Sequence, residues 1–213
     1  MDIPKESITR ISKFGENIVL IGNDFLDNTT NCVVIDNFAG VQLMMQHLFQ
    51  AGHRKIALLS EQPVYNDIKE RIRAYHYCME EAGYSEFRHV VYANGSGIAD
   101  GELVGTEWIE NGLHHSAVLV SNDMLAIGLM KAVKSAGLQI PRDISVAGFD
   151  GTWVSSIVDP PLTSVVQPMF DMGSAAITLL MEFMKSPGTP ARKIVLSPTL
   201  KIGGTIANKN ATE

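Results

Sequence analysis

Cysteine is scarce in this sequence of 213 residues, which contains only Cys32 and Cys78. The two cysteines show neither the spacing of a metal site nor a disulfide framework, so we interpret both as buried, reduced thiols of a cytoplasmic protein. Long hydrophobic runs are also missing, since no apolar stretch approaches the ~20 residues that a membrane-spanning helix needs. The first residues lack the basic-then-apolar order of a signal peptide. Basic residues are a minority, and the net charge of −6 offers no basic surface to nucleic acid.

The motifs of common enzymes are missing as well. There is no G-x-S-x-G nucleophile elbow and no G-x-x-x-x-G-K-[ST] phosphate loop. The six histidines show no HExxH or other metal-ligand spacing, so we interpret them as surface or capping residues. The sequence therefore predicts a protein without a metal, a cofactor or an enzymatic activity.

One glycine-rich loop, Gly95–Gly101, follows a predicted strand and precedes a predicted helix. It contains G-x-G but lacks the third glycine of a dinucleotide-binding loop, and it lies in mid-chain. We interpret it as a flexible connection. A nicotinamide-dependent oxidoreductase remains an alternative that rests on this loop alone.

The most informative stretch of the chain runs from Ala117 to Gly151 and predicts a strand, a helix and a second strand. Ala117–Val120 is a short apolar run, typical of a parallel strand that is buried on both faces. Asn122 follows it as part of a helix N-cap segment, and Asp150 follows the apolar strand 144–149. In an open parallel sheet, ligands bind beyond the carboxyl ends of the strands, where both polar residues are predicted to lie.

The rest of the chain continues this alternation and predicts an α/β fold of two lobes, each a parallel sheet flanked by helices. A short helix over 5–14 opens the first lobe. We place that lobe at 1–61 and 168–190, and the second at 62–167 and 191–206 with one last strand over 193–200. A polar tail, 207–213, is expected to fray. Two such lobes form a hinged cleft.

Four polar residues are candidates for a ligand site in this cleft: Arg73, Asn122, Asp150 and Gln167. A guanidinium, two amides and a carboxylate suit a polyol, because neighbouring hydroxyls both donate and accept hydrogen bonds. Plainer interpretations stay open. Asn122 could serve only as a helix cap and Asp150 only in a tight turn, Arg73 could be a solvated helix residue, and Gln167 a loop amide.

At these residues the chain resembles the effector-binding core of the lactose repressor/galactose repressor (LacI/GalR) family of bacterial transcription regulators. The matching stretches are VVIDNFAGVQLMMQHLFQAGHRKIALLS (33–60), RIRAYHYCMEEAGY (71–84), AVLVSNDMLAIGLMKAVKSAGLQIPRDISVAGFDG (117–151) and PPLTSVVQP (160–168). The resemblance implies a fold of two periplasmic-binding-protein-like lobes, in agreement with the pattern of strands and helices.

The resemblance also implies a sensor of a small molecule, usually a sugar or sugar derivative, that controls operator binding. Arg73 matches the family's ligand-gripping arginine, Asn122 its amide and Asp150 its carboxylate, while Gln167 falls on a cleft-lining position. Asn23 lies at a strand end of the first lobe where some members have a carboxylate. The stacking aromatic of the family has no counterpart near Ile98 to Gly101. A sugar-binding protein of a transport system shares this fold and is the alternative.

Family members begin with a helix-turn-helix head, whereas this chain begins partway into the first lobe. We therefore expect an N-terminally truncated effector core that forms homodimers and reaches operator DNA only through a head domain that the sequence lacks. Met44 and Met45 could belong either to the dimer interface or to the core.

Overall fold

The computed structural model describes residues 17–23, 30–112, 114–186 and 188–211, and the helix expected over 5–14 lies outside them. Strands and α-helices alternate from residue 31 to residue 150. In chain order they are β1 (Val19–Ile21), β2 (Asn31–Ile35), α1 (Asn37–Gln50), β3 (Ile56–Glu61), α2 (Asn66–Glu81), β4 (His89–Ala93), α3 (Ile98–Glu110), β5 (Ala117–Val120), α4 (Asp123–Ser135), β6 (Ser145–Asp150), β7 (Thr163–Val166), α5 (Met169–Lys185), β8 (Lys193–Leu196) and β9 (Thr199–Lys201). None of the helices in the described ranges is long and apolar enough to cross a membrane.

The strands form two sheets, one of six strands in the order β4-β3-β5-β6-β7-β9 and one of three in the order β1-β2-β8. All neighbours are parallel except β7 and β9, which run antiparallel. Parallel strands need crossovers. Helices α2, α3 and α4 connect the strands from β3 to β6, and a segment with a short 3-10 helix, Trp153–Ser156, connects β6 to β7. The predicted α/β class with parallel sheets flanked by helices is confirmed.

The pairing of two segments differs from the lobes that we expected. Strand β3, grouped with the first lobe, pairs with β4 and β5 inside the larger sheet. The segment 193–200, predicted as one strand, forms β8 in the smaller sheet and β9 in the larger. Pro198 lies between β8 and β9, where its missing N–H interrupts a ladder. The hydrophobic pattern predicted the strands but could not reveal their neighbours.

The hydrophobic core lies on both faces of the larger sheet. Helices α1 and α2 cover one face, where Met44, Met45 and Tyr75 are fully buried. Helices α3 and α4 cover the other face with residues such as Trp108 and Leu129. Met44 and Met45 are therefore core residues, which decides the alternative that the sequence left open. Cys32 and Cys78 are both buried and free, and burial raises the pKa of Cys78 to about 11.

Helices α3 and α4 approach each other at the level of the backbone. A Cβ atom on Gly101 would lie 2.2 Å from the carbonyl oxygen of Leu125, and one on Gly128 would lie 2.1 Å from that of Ile98. Only glycine permits this approach. The glycine-rich loop before α3 is closed by Asp100, whose carboxylate accepts a hydrogen bond of 3.0 Å from the N–H of Gly97.

Residues 207–211 are tied to the C-terminal end of α1 and the loop after it, so the expectation of a frayed tail is wrong for them. The ring of the buried His53 donates from Nε2 to the carbonyl of Ala207 at 3.1 Å. The N–H of Lys209 donates to the carbonyl of Ala51, and the side chain of Asn210 donates to that of Gln50. Composition indicated a polar tail, but not these partners, which lie far away in the sequence.

Candidate functional site

A cleft of about 450 Å³ lies at the carboxyl ends of strands from both sheets. Its polar lining consists of Asn37, Glu61, Asp67, Arg71, Ser96, Asn122, Asp150 and Gln167. Its remaining lining consists of Ile21, Gly22, Ile35, Ile68, Met124, Met169 and Met172, so the described lining includes no aromatic ring. This is the edge at which open α/β sheets bind ligands.

Arg71, on α2, is the centre of the polar network. Its Nε donates to Oδ1 of Asn37 at 2.8 Å, and its Nη1 donates to the carbonyl oxygen of Ser121. Nη1 also lies 3.5 Å from Oδ1 of Asp150, and Nη2 lies 3.8 Å from Oδ2 of Asp67. Because the guanidinium is planar, these contacts fix its orientation as well as its position.

The ring of Phe149 supports the same guanidinium from one side. The Cζ atom of Arg71 lies 3.8 Å from the centre of this ring, which is itself fully buried. The arginine side chain is only 5% exposed. A cation over an aromatic face is stabilised by the ring quadrupole, more so where water is excluded. Phe149 is the residue before Asp150, so one strand end provides both the ring and the carboxylate.

Asp150 ends β6 in a left-handed conformation, with a φ of 110°, and Gly151 continues the turn with a φ of 67°. Its Oδ1 accepts a hydrogen bond of 2.7 Å from Nε2 of Gln167. Burial raises the pKa of Asp150 to about 6, although Arg71 and Gln167 act in the opposite direction. At neutral pH the carboxyl group is therefore mostly ionised.

The side chain of Asn122 has two roles. Its Oδ1 accepts from the N–H of Leu125 at 2.8 Å and caps α4, as the plainer interpretation held. Its Nδ2 faces the carboxylate of Glu61 in the cleft, 3.5 Å from both oxygens. The hydroxyl of Ser121 donates to the same carboxylate. The cap therefore leaves the amide nitrogen of Asn122 directed toward the cleft.

Behind these residues, Asp123 holds the turn that carries Asp150. Its Oδ2 accepts from the N–H and the hydroxyl of Thr152 at 2.7 and 2.9 Å, and its Oδ1 accepts from the hydroxyl of Ser164. Burial raises the pKa of Asp123 despite these donors. A Cβ atom on Gly148 would lie 2.4 Å from Oδ1 of Asp123, so a larger residue there would have to displace this carboxylate.

Three of the residues predicted from the sequence, Asn122, Asp150 and Gln167, line this one cleft. Arg73 does not: its guanidinium donates to the carboxylate of Glu70, and its side chain is 63% exposed. The arginine that lines the cleft is therefore Arg71, and not Arg73 as the sequence had predicted. That these residues bind an effector stays a prediction.

The period of α2 explains the error over the arginine. Ile68, Ala74 and Tyr75 are buried, and Arg71 lies three or four residues from each of them on the same helix face. Arg73 lies two residues further along and points away, over the ring of Phe38. This spacing was readable in the sequence.

Asn23 is placed beside the cleft and not in it. Its neighbour Gly22 lines the cleft, whereas Asn23 is not part of the lining. Sequence reasoning missed Asn37 and Glu61, which are both part of it. The signal for them was the one that revealed Asp150, since Glu61 ends β3 and Asn37 follows β2.

Comparison with known proteins adds the family. Residues 45–206 match the family model of the periplasmic binding protein-like domain. The HTH-type transcriptional regulator GalR of Escherichia coli is 30% identical over 198 residues, which are 93% of this chain and 58% of that protein. Catabolite control protein A of Priestia megaterium is 29% identical over 187 residues, 86% of this chain and 55% of that protein. The chain thus spans less than two thirds of the length of these relatives.

A solved structure shows the same fold. The LacI family transcriptional regulator from Enterococcus faecium, determined with bound ribose, superimposes with a TM-score of 0.87. It is 22% identical, and the match covers 97% of this chain and 76% of that one. The match of residues 45–206 shows that the chain belongs to the periplasmic binding protein-like domain family. Its resemblance to the LacI/GalR regulators is confirmed by the regulators that it matches in sequence.

Proposed function

We propose that this chain is the effector-binding portion of a LacI-type transcriptional regulator and that its cleft binds a sugar or a sugar derivative. The convergence of Arg71, Asn122, Asp150 and Gln167 on one cleft carries this proposal. Each of the four comes from a different segment of the chain, and a structural role for one of them would not require the others to meet.

The chemistry of the lining suits a polyhydroxylated ligand. The carboxylates of Glu61 and Asp150 accept hydrogen bonds from hydroxyls, and the amide of Asn122 donates one. Charge-assisted hydrogen bonds of this kind contribute about 1.5–3 kcal/mol each. The methionine and isoleucine side chains of the lining provide the apolar contact for the C–H face of a sugar ring.

The position of the cleft supports a role in signalling. Ile21 and Ile35 belong to the smaller sheet, whereas Asn122 and Asp150 lie at strand ends of the larger one. A ligand that contacts both sheets favours the relative arrangement that it binds better, and so shifts the equilibrium between arrangements. In a regulator, this shift changes the affinity for operator DNA.

The relatives support a regulatory role. GalR is a transcriptional regulator and catabolite control protein A is named for a control function. We therefore favour a non-enzymatic regulator over a transport-system binding protein. In this proposal, the protein acts as a homodimer in the cytoplasm, and a helix-turn-helix head reads the operator.

A thermal-shift screen with monosaccharides, disaccharides and phosphosugars tests the proposal. A ligand present at 100 times its Kd stabilises the folded state by about 2.7 kcal/mol, which is a readily measured shift in Tm. The shift should disappear in Asp150→Ala and remain in Glu80→Gln, whose side chain is 69% exposed on the far part of α2. A sugar that stabilises Asp150→Ala as much as the parent protein would contradict a site in this cleft.

A further inference from the structure

The charged side chains of the cleft are mostly acidic. Among the described lining residues, Glu61, Asp67 and Asp150 are carboxylates, and Arg71 is the cation. In a concave site of low dielectric, such an excess attracts cations and repels anions more strongly than it would on an open surface.

The neighbouring depression does not reverse this balance. It has a volume of about 540 Å³ and contributes two cations, Lys69 and Lys193. It also contributes two further carboxylates, those of Asp36 and Glu70. Over both spaces, carboxylates therefore outnumber cations by five to three among the described residues.

Arg71 is largely committed to the protein itself. It donates to Asn37 and to the carbonyl of Ser121, lies within ion-pair distance of Asp67 and Asp150, and is 5% exposed. A phosphate or carboxylate of a ligand would have to displace these partners, because a bidentate anion needs two guanidinium N–H groups in one plane. The arginine therefore orients Asp150 and offers little to an anionic ligand.

Within the described residues, Glu61 is the carboxylate of the cleft lining that forms no ion pair with a lysine or arginine. In the described part of the chain, its hydrogen-bond partners are the hydroxyl of Ser121 and the amide of Asn122, both of them uncharged. The same part of the chain contains no lysine or arginine within ion-pair distance of it. A partly buried carboxylate that has only neutral partners gains most from a cation.

We infer that the ligand of this cleft is a polyhydroxylated amine, such as an amino sugar, whose protonated amino group binds Glu61. This inference rests on the proposed function and specifies the class of the ligand. Asp150 and Asn122 then contact hydroxyls, as in the general proposal, and Glu61 determines the preference for charge. A sugar phosphate or uronic acid is excluded by the same carboxylates.

Isothermal titration with matched sugars tests the inference. The panel contains glucosamine, galactosamine and mannosamine, their N-acetyl forms, the parent hexoses and the hexose 6-phosphates. We expect a free amino sugar to bind at least about tenfold tighter than its parent and its N-acetyl form, since one charge-assisted hydrogen bond accounts for that ratio. The N-acetyl form keeps the ring and removes the charge.

Glu61→Gln separates charge from shape. It should reduce the preference for the amine to less than about threefold while the parent hexose still binds, and Glu80→Gln should leave the preference unchanged. If the neutral or phosphorylated sugar binds the parent protein as tightly as the amine, the inference is overturned and the proposed function stands. If no member of the panel binds, the result counts against the proposed function and the inference with it.

Discussion

Nη1 of Arg71 lies 3.5 Å from Oδ1 of Asp150, and the same oxygen accepts a hydrogen bond of 2.7 Å from Gln167. The arginine comes from α2, the carboxylate from the end of β6 and the amide from the segment after β7. This contact joins three segments that are distant in the sequence. It makes Arg71 a positioning residue for the carboxylate that we place against the ligand.

The first prediction compares two arginines on one helix. Arg71→Ala should lower the free energy of unfolding by about 3 kcal/mol, because it leaves a buried carboxylate without its cation. Arg73→Ala removes an exposed pair with Glu70 and should cost far less, because exposed ion pairs contribute little to stability. Urea unfolding of both variants measures this difference, and equal costs would contradict the placement of Arg71.

The second prediction concerns pH and Asp150. Its pKa is raised by burial to about 6 in the folded state, above the ~3.9 of an unfolded chain. At pH values between these two pKa values, the protein therefore takes up a proton when it folds. The corresponding stability is fully present below pH ~4 and is lost as the pH rises through about 6. Asp150→Asn lacks this pH-dependent loss. Its free energy of unfolding should therefore rise by about 2 kcal/mol relative to that of the parent protein between pH 4 and pH 6.5.

The measurement is chemical unfolding of both proteins across that range. His53 and His115, whose pKa values are lowered by burial to about 4, titrate in both proteins and cancel in the difference. Parallel curves for the parent and the variant would show that the carboxyl group of Asp150 has an ordinary pKa.

The third prediction uses a pair of glycines in helices. Gly128→Ala should destabilise the protein by more than about 2 kcal/mol, since the new Cβ would lie 2.1 Å from the carbonyl oxygen of Ile98. Gly173→Ala on α5 has open space around the new Cβ and should stabilise by about 0.5 kcal/mol through helix propensity. Thermal unfolding separates the two, and a neutral Gly128→Ala would contradict the close approach of α3 and α4.

The fourth prediction separates the two roles of Asn122. Asn122→Ser keeps an N-cap acceptor for the N–H of Leu125 and should retain stability to within about 0.5 kcal/mol. Asn122→Ala removes the cap and should cost about 1 kcal/mol. Both variants should weaken sugar binding, because both lack the amide nitrogen. Full sugar affinity in Asn122→Ser would show that the residue is only a cap.

Much of the fold was predictable because its signals are local. The apolar run of β5, the N-cap at Asn122 and the strand end at Asp150 all depend on neighbouring residues, and the structure contains each of them. The two-sheet membership of 193–200 depended on partners far away in the sequence, which no local pattern specifies. The prediction of Arg73 in place of Arg71 had a different cause. The spacing of Ile68, Arg71 and Tyr75 along α2 is a local signal, and it identifies Arg71 as the buried arginine.

The most direct test of the central claim is amide hydrogen exchange with and without a saturating sugar found in the screen. The account predicts slower exchange at the cleft, in the segments around Glu61, Arg71, Asn122 and Asp150, with little change near His89 and His115 at the other end of the larger sheet. Protection that is absent from the cleft and concentrated on another surface would contradict it.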